Sequence, residues 1–123
     1  MARRIVFQIG SACFTATLDD TPVADAVWDA LPVATHFSTW GDEIYFDTGL
    51  TLDPGPGRET VELGDVGYWP PGRALCLFYG PTPVSGRDEI RPASPVAVFG
   101  RLDGDPNALR KVTGTTVRVS RAV

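Results

Sequence analysis

Hydrophobic and polar positions alternate along much of the chain, and this pattern predicts a series of short β-strands. The first predicted strand is Arg4–Ile9, where every second residue from Ile5 onward is apolar. A Gly-Ser turn follows, and Ala12–Leu18 is the second predicted strand. Because so short a turn joins them, the two strands are expected to form an antiparallel hairpin.

A helical period replaces the alternation directly after the second strand. Thr21 suits the N-cap of a helix, and Pro22 suits its first helical position. Apolar residues then recur at helical spacing on one face, namely Val23, Ala26, Val27, Ala30 and Leu31. We predict that the helix stops at Pro32 and that its apolar face covers the mouth of a barrel or one side of a sheet.

Glycine and proline, with 13 and 11 residues, separate further short apolar segments along the rest of the chain. We predict loops at Leu52–Arg58 and Pro81–Pro95, and a turn with a short second helical turn at Gly104–Lys111. Eight or nine strands with one main helix predict a mainly β fold, and a closed antiparallel eight-stranded barrel would leave no free strand edges. The remaining predicted strands are Val33–Trp40, Glu43–Phe46, Glu59–Leu63, Val66–Trp69, Ala74–Tyr79, Val96–Leu102 and Thr115–Arg121.

Length and charge narrow the class of protein. The 123 residues predict one domain over 1–123. A net charge of −4 argues against a nucleic-acid partner, which requires a clustered basic face. The chain has no apolar run near the roughly 18 residues of a membrane helix, so no membrane association is expected. The opening MARRIVFQIG lacks the apolar stretch of a signal peptide, and we expect a cytoplasmic protein.

Cysteine and histidine content offers little for metal or cofactor chemistry. Cys13 and Cys76 lie in apolar segments and are predicted to be buried free thiols. His36 is the only histidine, which is too few for a typical zinc site, so no metal and no cofactor are expected. Because histidine is the side chain that commonly serves in proton transfer near neutral pH, His36 is a candidate general base or ligand contact as well as an ordinary surface residue.

Two neighbouring acids follow Trp40 and Gly41, where a Gly41-Asp42 turn is predicted between two strands. Adjacent strand residues point to opposite faces, so Asp42 and Glu43 do not form a catalytic carboxylate pair. Asp42 is interpreted as a turn residue. Glu43 shares a face with Tyr45 and is the second candidate catalytic residue, as a polar wall of a pocket.

Aromatic residues cluster around the segment GDVGYWPPGRALCLFYGPTP, and they could fill a core or line a pocket. Arg73 leaves the turn after the double proline and could reach a carboxylate. The long loop Pro81–Pro95 could rim such a pocket. The predicted ligand-binding residues are Trp40, Tyr45, Trp69, Arg73, Phe78, Tyr79 and Arg91.

Several stretches resemble the cyclophilins. Residues 5–31, IVFQIGSACFTATLDDTPVADAVWDAL, resemble the cyclophilin opening of two strands and a capped helix, and VAVFGRL at 96–102 resembles a late cyclophilin strand. TWGDEIYF and the central GDVGYWPPGRALCLFYGPTP are similar to a smaller prokaryotic group, the TM1367-like (DUF369) cyclophilin-like proteins. The resemblance covers nearly the whole chain and implies a single cyclophilin-like barrel domain.

The departures from the cyclophilin pattern concern the catalytic residues. Cyclophilin prolyl isomerases carry an Arg and a Gln on central strands, whereas this chain has no Arg between Arg4 and Arg58 and only Gln8 as glutamine. Val96 stands where the resemblance places a His, and Arg91 stands near the position of a Trp. The resemblance puts Phe78 in the role of the family's pocket aromatic. Without the cationic donor for the twisted amide, prolyl isomerase activity is expected to be weak or absent.

Three functions agree with this pattern. The first is a module that binds a small molecule or an extended peptide in an aromatic groove, without isomerase chemistry. The second is an enzyme, either a weak prolyl isomerase or a catalyst acting on a small amide or ring substrate, since similar barrels occur in allophanate hydrolase and 5-oxoprolinase subunits. The third is a structural protein that self-associates through an aromatic patch. The sequence leaves open whether the protein is a monomer or a homo-oligomer.

Overall fold

The strands pair into an antiparallel sheet that curves into a barrel. The computed structural model describes residues 3–122, and Met1, Ala2 and Val123, at the ends of the predicted domain, lie outside the described residues. In this part of the chain the sheet order is β3-β9-β1-β2-β8-β6-β7-β5-β4. The strands are β1 (Arg4–Ile9), β2 (Ala12–Leu18), β3 (Val33–His36), β4 (Ser38–Thr39), β5 (Glu43–Asp47), β6 (Asp65–Trp69), β7 (Ala74–Phe78), β8 (Ala97–Leu102) and β9 (Thr116–Arg121).

The two ends of this sheet are consecutive segments of the chain. Only Phe37 separates β3 from β4, and β3 pairs with β9 while β4 pairs with β5. The segment therefore acts as one bent strand that joins the two edges. With β3 and β4 counted together, the barrel has the predicted eight strands, and the mainly β antiparallel fold is confirmed.

The predicted helix is also confirmed, as α1 (Pro22–Ala30). The Thr21 hydroxyl accepts a hydrogen bond of 3.1 Å from the Ala24 N–H, which caps the first turn. Val23, Ala24 and Val27 are buried in the main core. The short second helical turn is present as a 3-10 helix at Pro106–Lys111, and another 3-10 turn occupies Pro70–Gly72. Neither α1 nor the 3-10 turns in the described residues are long and apolar enough to cross a membrane.

Apolar residues form two separate clusters on the two sides of the sheet. The main core fills the barrel with side chains such as Phe7, Phe46, Leu77 and Phe99. A smaller cluster lies outside the barrel and includes Ala74, Cys76, Phe78, Val61 and Val96. All five residues of β7 are buried because its inner face meets the core and its outer face is covered by this second cluster. The second cluster supports the candidate site.

Two predictions about individual segments are wrong. Glu59–Leu63 is not a strand, because its backbone makes an isolated bridge from Val61 to Ile90 and the Glu62 N–H donates instead to the Asp65 carboxylate at 2.8 Å. Cys13 is exposed rather than buried. It lies opposite exposed Gln8 across the β1–β2 hairpin, so its side chain is on the outer face of the barrel.

Candidate functional site

A cavity of about 180 Å³ opens on the outer face of the sheet, between β5 and β6 and under the loop before β8. Its lining is almost entirely apolar and aromatic, and it has one acidic group. Such a combination of apolar walls and few polar groups is typical of small-molecule sites. The lining residues are Trp40, Glu43, Tyr45, Trp69, Pro92 and Ala93.

The tight hairpin between β4 and β5 places Trp40 beside Glu43. The Trp40 N–H donates to the Glu43 carbonyl at 2.9 Å, which closes the two-residue turn. Gly41 has a φ of +59°, and a Cβ there would lie 2.7 Å from Cδ of Pro83. Only glycine tolerates both conditions, so this turn can pack directly against the loop that rims the cavity.

Trp69 forms the opposite wall and is held in place from two sides. Its indole Nε1–H donates to the Ser94 hydroxyl at 2.7 Å, which links β6 to the rim loop. Gly72 lies against the other side of the indole, because a Cβ there would be 2.7 Å from Cζ3 of Trp69. The ring is therefore fixed before any ligand arrives, which reduces the entropic cost of binding.

Glu43 supplies the carboxyl group of the cavity and is only 6% exposed. Burial raises the pKa of its carboxyl to about 7, and a hydrogen bond with the Cys76 thiol opposes the rise. Burial also raises the pKa of Cys76 well above its ordinary value, and the Glu43 charge adds to that rise. The thiol is therefore a poor nucleophile. The carboxyl, in contrast, can either donate or accept a proton near neutral pH.

The structure brings four of the predicted site residues together. Glu43, Tyr45, Trp40 and Trp69 all line the same cavity. Phe78 does not line it, since its side chain is fully buried in the second cluster, against which Tyr45 and Trp69 also pack. Phe78 is therefore a packing residue of the cluster that adjoins the cavity.

Three other predicted ligand-binding residues lie elsewhere. Arg73 is exposed, and its guanidinium is 3.5 Å from the Asp47 carboxylate. Arg91 binds Glu89 through two hydrogen bonds of 2.8 and 3.2 Å. Tyr79 packs in the main core, and the Arg110 guanidinium lies 5.3 Å from its ring centre.

His36 is exposed on another part of the barrel. It borders a shallow groove together with Gln8 and Arg118, and Glu43 lines a different cavity. The two candidate catalytic residues are thus not brought together. Within residues 3–122, moreover, no three His, Cys, Asp or Glu side chains are grouped closely enough to hold a metal ion.

Sequence reasoning missed the partners that complete the cavity. Cys76 lies opposite Tyr45 in the β5–β7 pairing, and from there it reaches Glu43. Ser94 and Pro92 come from the rim loop, which the sequence indicated only as a whole. The cysteine could have been identified only from the register between strands, which no local pattern in the chain reveals.

Comparisons with known proteins agree with the architecture. A sequence profile of the family described as Cyclophilin-like matches residues 3–120. The solution structure of a hypothetical protein from Archaeoglobus fulgidus is similar to this structure, with a TM-score of 0.81 and 41% sequence identity, over 98% of this chain and 95% of that one. A search of curated proteins found no match.

Proposed function

We propose that this protein, which belongs to the Cyclophilin-like family, is a binding module without prolyl isomerase chemistry. The ligand is a small molecule or an extended peptide that inserts one compact apolar group into the Glu43 cavity. The observation that carries the proposal is the preformed cavity itself, with three aromatic walls and one buried carboxyl.

The size of the cavity agrees with a single ring or a compact side chain. An engineered apolar cavity of about 150 Å³ in another protein takes up benzene, and this cavity measures about 180 Å³. The lining includes three aromatic side chains, Trp40, Tyr45 and Trp69, a residue type that stacks on rings. Glu43 supplies the polar contact that would orient the ligand.

We expect no isomerase activity because of the charges around the cavity. A twisted prolyl amide is stabilised by a donor that binds it more tightly than the planar amide. Among the described residues, those lining the cavity include no arginine and no glutamine. Gln8 borders the groove near His36, and the Arg91 guanidinium is bound to Glu89.

We therefore predict that the protein leaves cis/trans exchange of short X-Pro peptides unchanged. Exchange NMR on a peptide panel, with and without the protein, measures this directly. Faster exchange would contradict the proposal. Repeating the measurement with the Glu43→Gln variant would then show whether the carboxyl causes the faster exchange.

Ligand binding should depend on the aromatic walls. Trp40→Ala is expected to weaken the binding of a single-ring probe such as benzyl alcohol by about three- to tenfold, since one aromatic contact is removed. Calorimetric titration of folded variants measures the change. Trp28→Ala makes the same substitution on α1, where the ring lies between the guanidiniums of Arg3 and Arg121, and it is the matched control. Equal weakening by both variants would place the site elsewhere.

An enzymatic role is the second candidate, and the Glu43 carboxyl favours it. A pKa of about 7 suits a general acid or base at neutral pH, for a reaction on a small amide or ring substrate. If the protein is such a catalyst, the Glu43→Gln variant should lose turnover. If it is a binding module, neither the original protein nor the variant should convert amide or ring substrates.

The remaining parts of the proposal are a cytoplasmic location and membership of the TM1367-like (DUF369) group. Self-association through an exposed aromatic patch is a separate candidate role, although the large hydrophobic side chains exposed in the described part of the chain, Leu63 and Val84, are aliphatic. Light scattering would decide between monomer and homo-oligomer. Neither outcome changes the composition of the cavity.

A further inference from the structure

The charge pattern of the cavity selects among small ligands. Its lining includes the aromatic side chains of Trp40, Tyr45 and Trp69, and its one carboxyl group is that of Glu43. In the described part of the chain, the lining residues include no lysine, arginine or histidine. The faces of aromatic rings carry negative electrostatic potential, so both the walls and the ionised carboxyl attract a cation.

The kind of cation follows from the hydrogen-bonding groups available. A primary ammonium has three N–H donors, and burying them without acceptors is costly. A quaternary ammonium has no N–H donor, and a tertiary ammonium has one, which the Glu43 carboxylate could accept. Alkyl groups around the nitrogen would also match the apolar lining, which Pro92 and Ala93 complete.

We propose that the Glu43 cavity is an aromatic cage for an alkylated ammonium group, carried by a small molecule or by a methylated lysine side chain. This inference rests on the proposed binding function and specifies its ligand class. Aromatic cages are a general means of recognising methylated ammonium ions. The buried carboxylate adds a compensating charge, which a buried cation requires.

Binding of the cation is coupled to the protonation of Glu43. The groups that face this carboxyl are the Cys76 thiol from β7, the Tyr45 ring from β5 and the uncharged residues of the other walls. A bound ammonium favours the carboxylate, so the proton leaves to the solvent when the ligand enters at pH values below about 7. Affinity should therefore rise with pH and level off above neutrality.

The test compares choline with 3,3-dimethyl-1-butanol, its neutral analogue of similar shape, by calorimetry at pH 5.5 and 8.5. At pH 8.5 choline is expected to bind at least about tenfold more tightly than the neutral analogue, and at pH 5.5 most of that advantage should be lost. Glu43→Gln should reduce the advantage and remove its pH dependence while the neutral analogue still binds. The N-acetyl amide of trimethyllysine is titrated in parallel to distinguish a small molecule from a methylated lysine side chain. Tighter binding of this compound than of choline would identify a side chain as the ligand.

The outcomes separate this inference from the proposed function. Equal or weaker binding of choline than of the neutral analogue would overturn the ammonium cage and leave the cavity as a site for neutral ligands. If neither choline, nor the neutral analogue, nor the single-ring probes bind, both the ammonium cage and the proposed binding function are overturned. Trp40→Phe keeps an aromatic ring at this position and should retain choline binding. It is the control that separates loss of the cage from misfolding of a variant.

Discussion

Replacing Phe78 with alanine should lower the free energy of unfolding by about 3–5 kcal/mol. The ring is fully buried in the second cluster, outside the barrel, where it packs with Val61 and Val96. Its removal would leave a void in this cluster, and a strand paired on both sides cannot collapse to fill it. Denaturant unfolding with linear extrapolation measures the change.

Phe14→Ala is the matched control for this prediction. Phe14 is half-buried on β2, so the same chemical change removes fewer contacts and should cost clearly less. A loss of under about 1 kcal/mol for Phe78→Ala would contradict the packing described above. In that case Phe78 would again be a candidate wall of the ligand site.

The second large effect is a dependence of stability on pH that comes from Glu43. Burial raises the pKa of this carboxyl in the folded protein from 4.5 to about 7. The folded state therefore holds the proton more tightly than the unfolded chain, and stability decreases as pH rises from about 4.5 through 7. The full shift corresponds to at most about 3 kcal/mol, and water entering the cavity mouth lowers this figure.

Glu43→Gln should remove that penalty because the amide stays neutral at every pH. We expect the variant to unfold with a free energy similar to the original protein near pH 4, and to be more stable by about 1–3 kcal/mol at pH 8.5. Glu59→Gln makes the same change at an exposed position and should stay within about 0.5 kcal/mol of the original protein at both pH values. If the difference in unfolding free energy between Glu43→Gln and the original protein is the same at both pH values, the raised pKa of Glu43 is contradicted.

Local signals in the chain were sufficient to predict most of the fold. Thr21 and Pro22 marked the start of α1, and the structure shows the predicted cap. The Gly41-Asp42 turn marked the hairpin that places Trp40 beside Glu43. Such features depend on a few neighbouring residues, so each could be interpreted without knowledge of the rest of the molecule.

The division between core and site residues could not be predicted in the same way. The segment Ala74–Phe78 is apolar throughout and buried on both faces, so alternation gives no indication of which side each residue faces. For this reason the sequence did not show that Phe78 is a packing residue, and it was predicted to bind ligand together with Trp69. The exposure of Cys13 and the contact of Cys76 with Glu43 depend on strand register, which is set by the whole barrel.

The position of the ligand site is tested most directly by the indole N–H signals in an NMR titration with benzyl alcohol and with choline. The chain has three tryptophans, of which Trp40 and Trp69 line the cavity and Trp28 lies on α1. We predict that the Trp40 and Trp69 signals shift together and saturate with one dissociation constant, while the Trp28 signal does not move. Saturable shifts of Trp28 alone, or no saturable shift at any tryptophan, would contradict the assignment of the Glu43 cavity as the binding site.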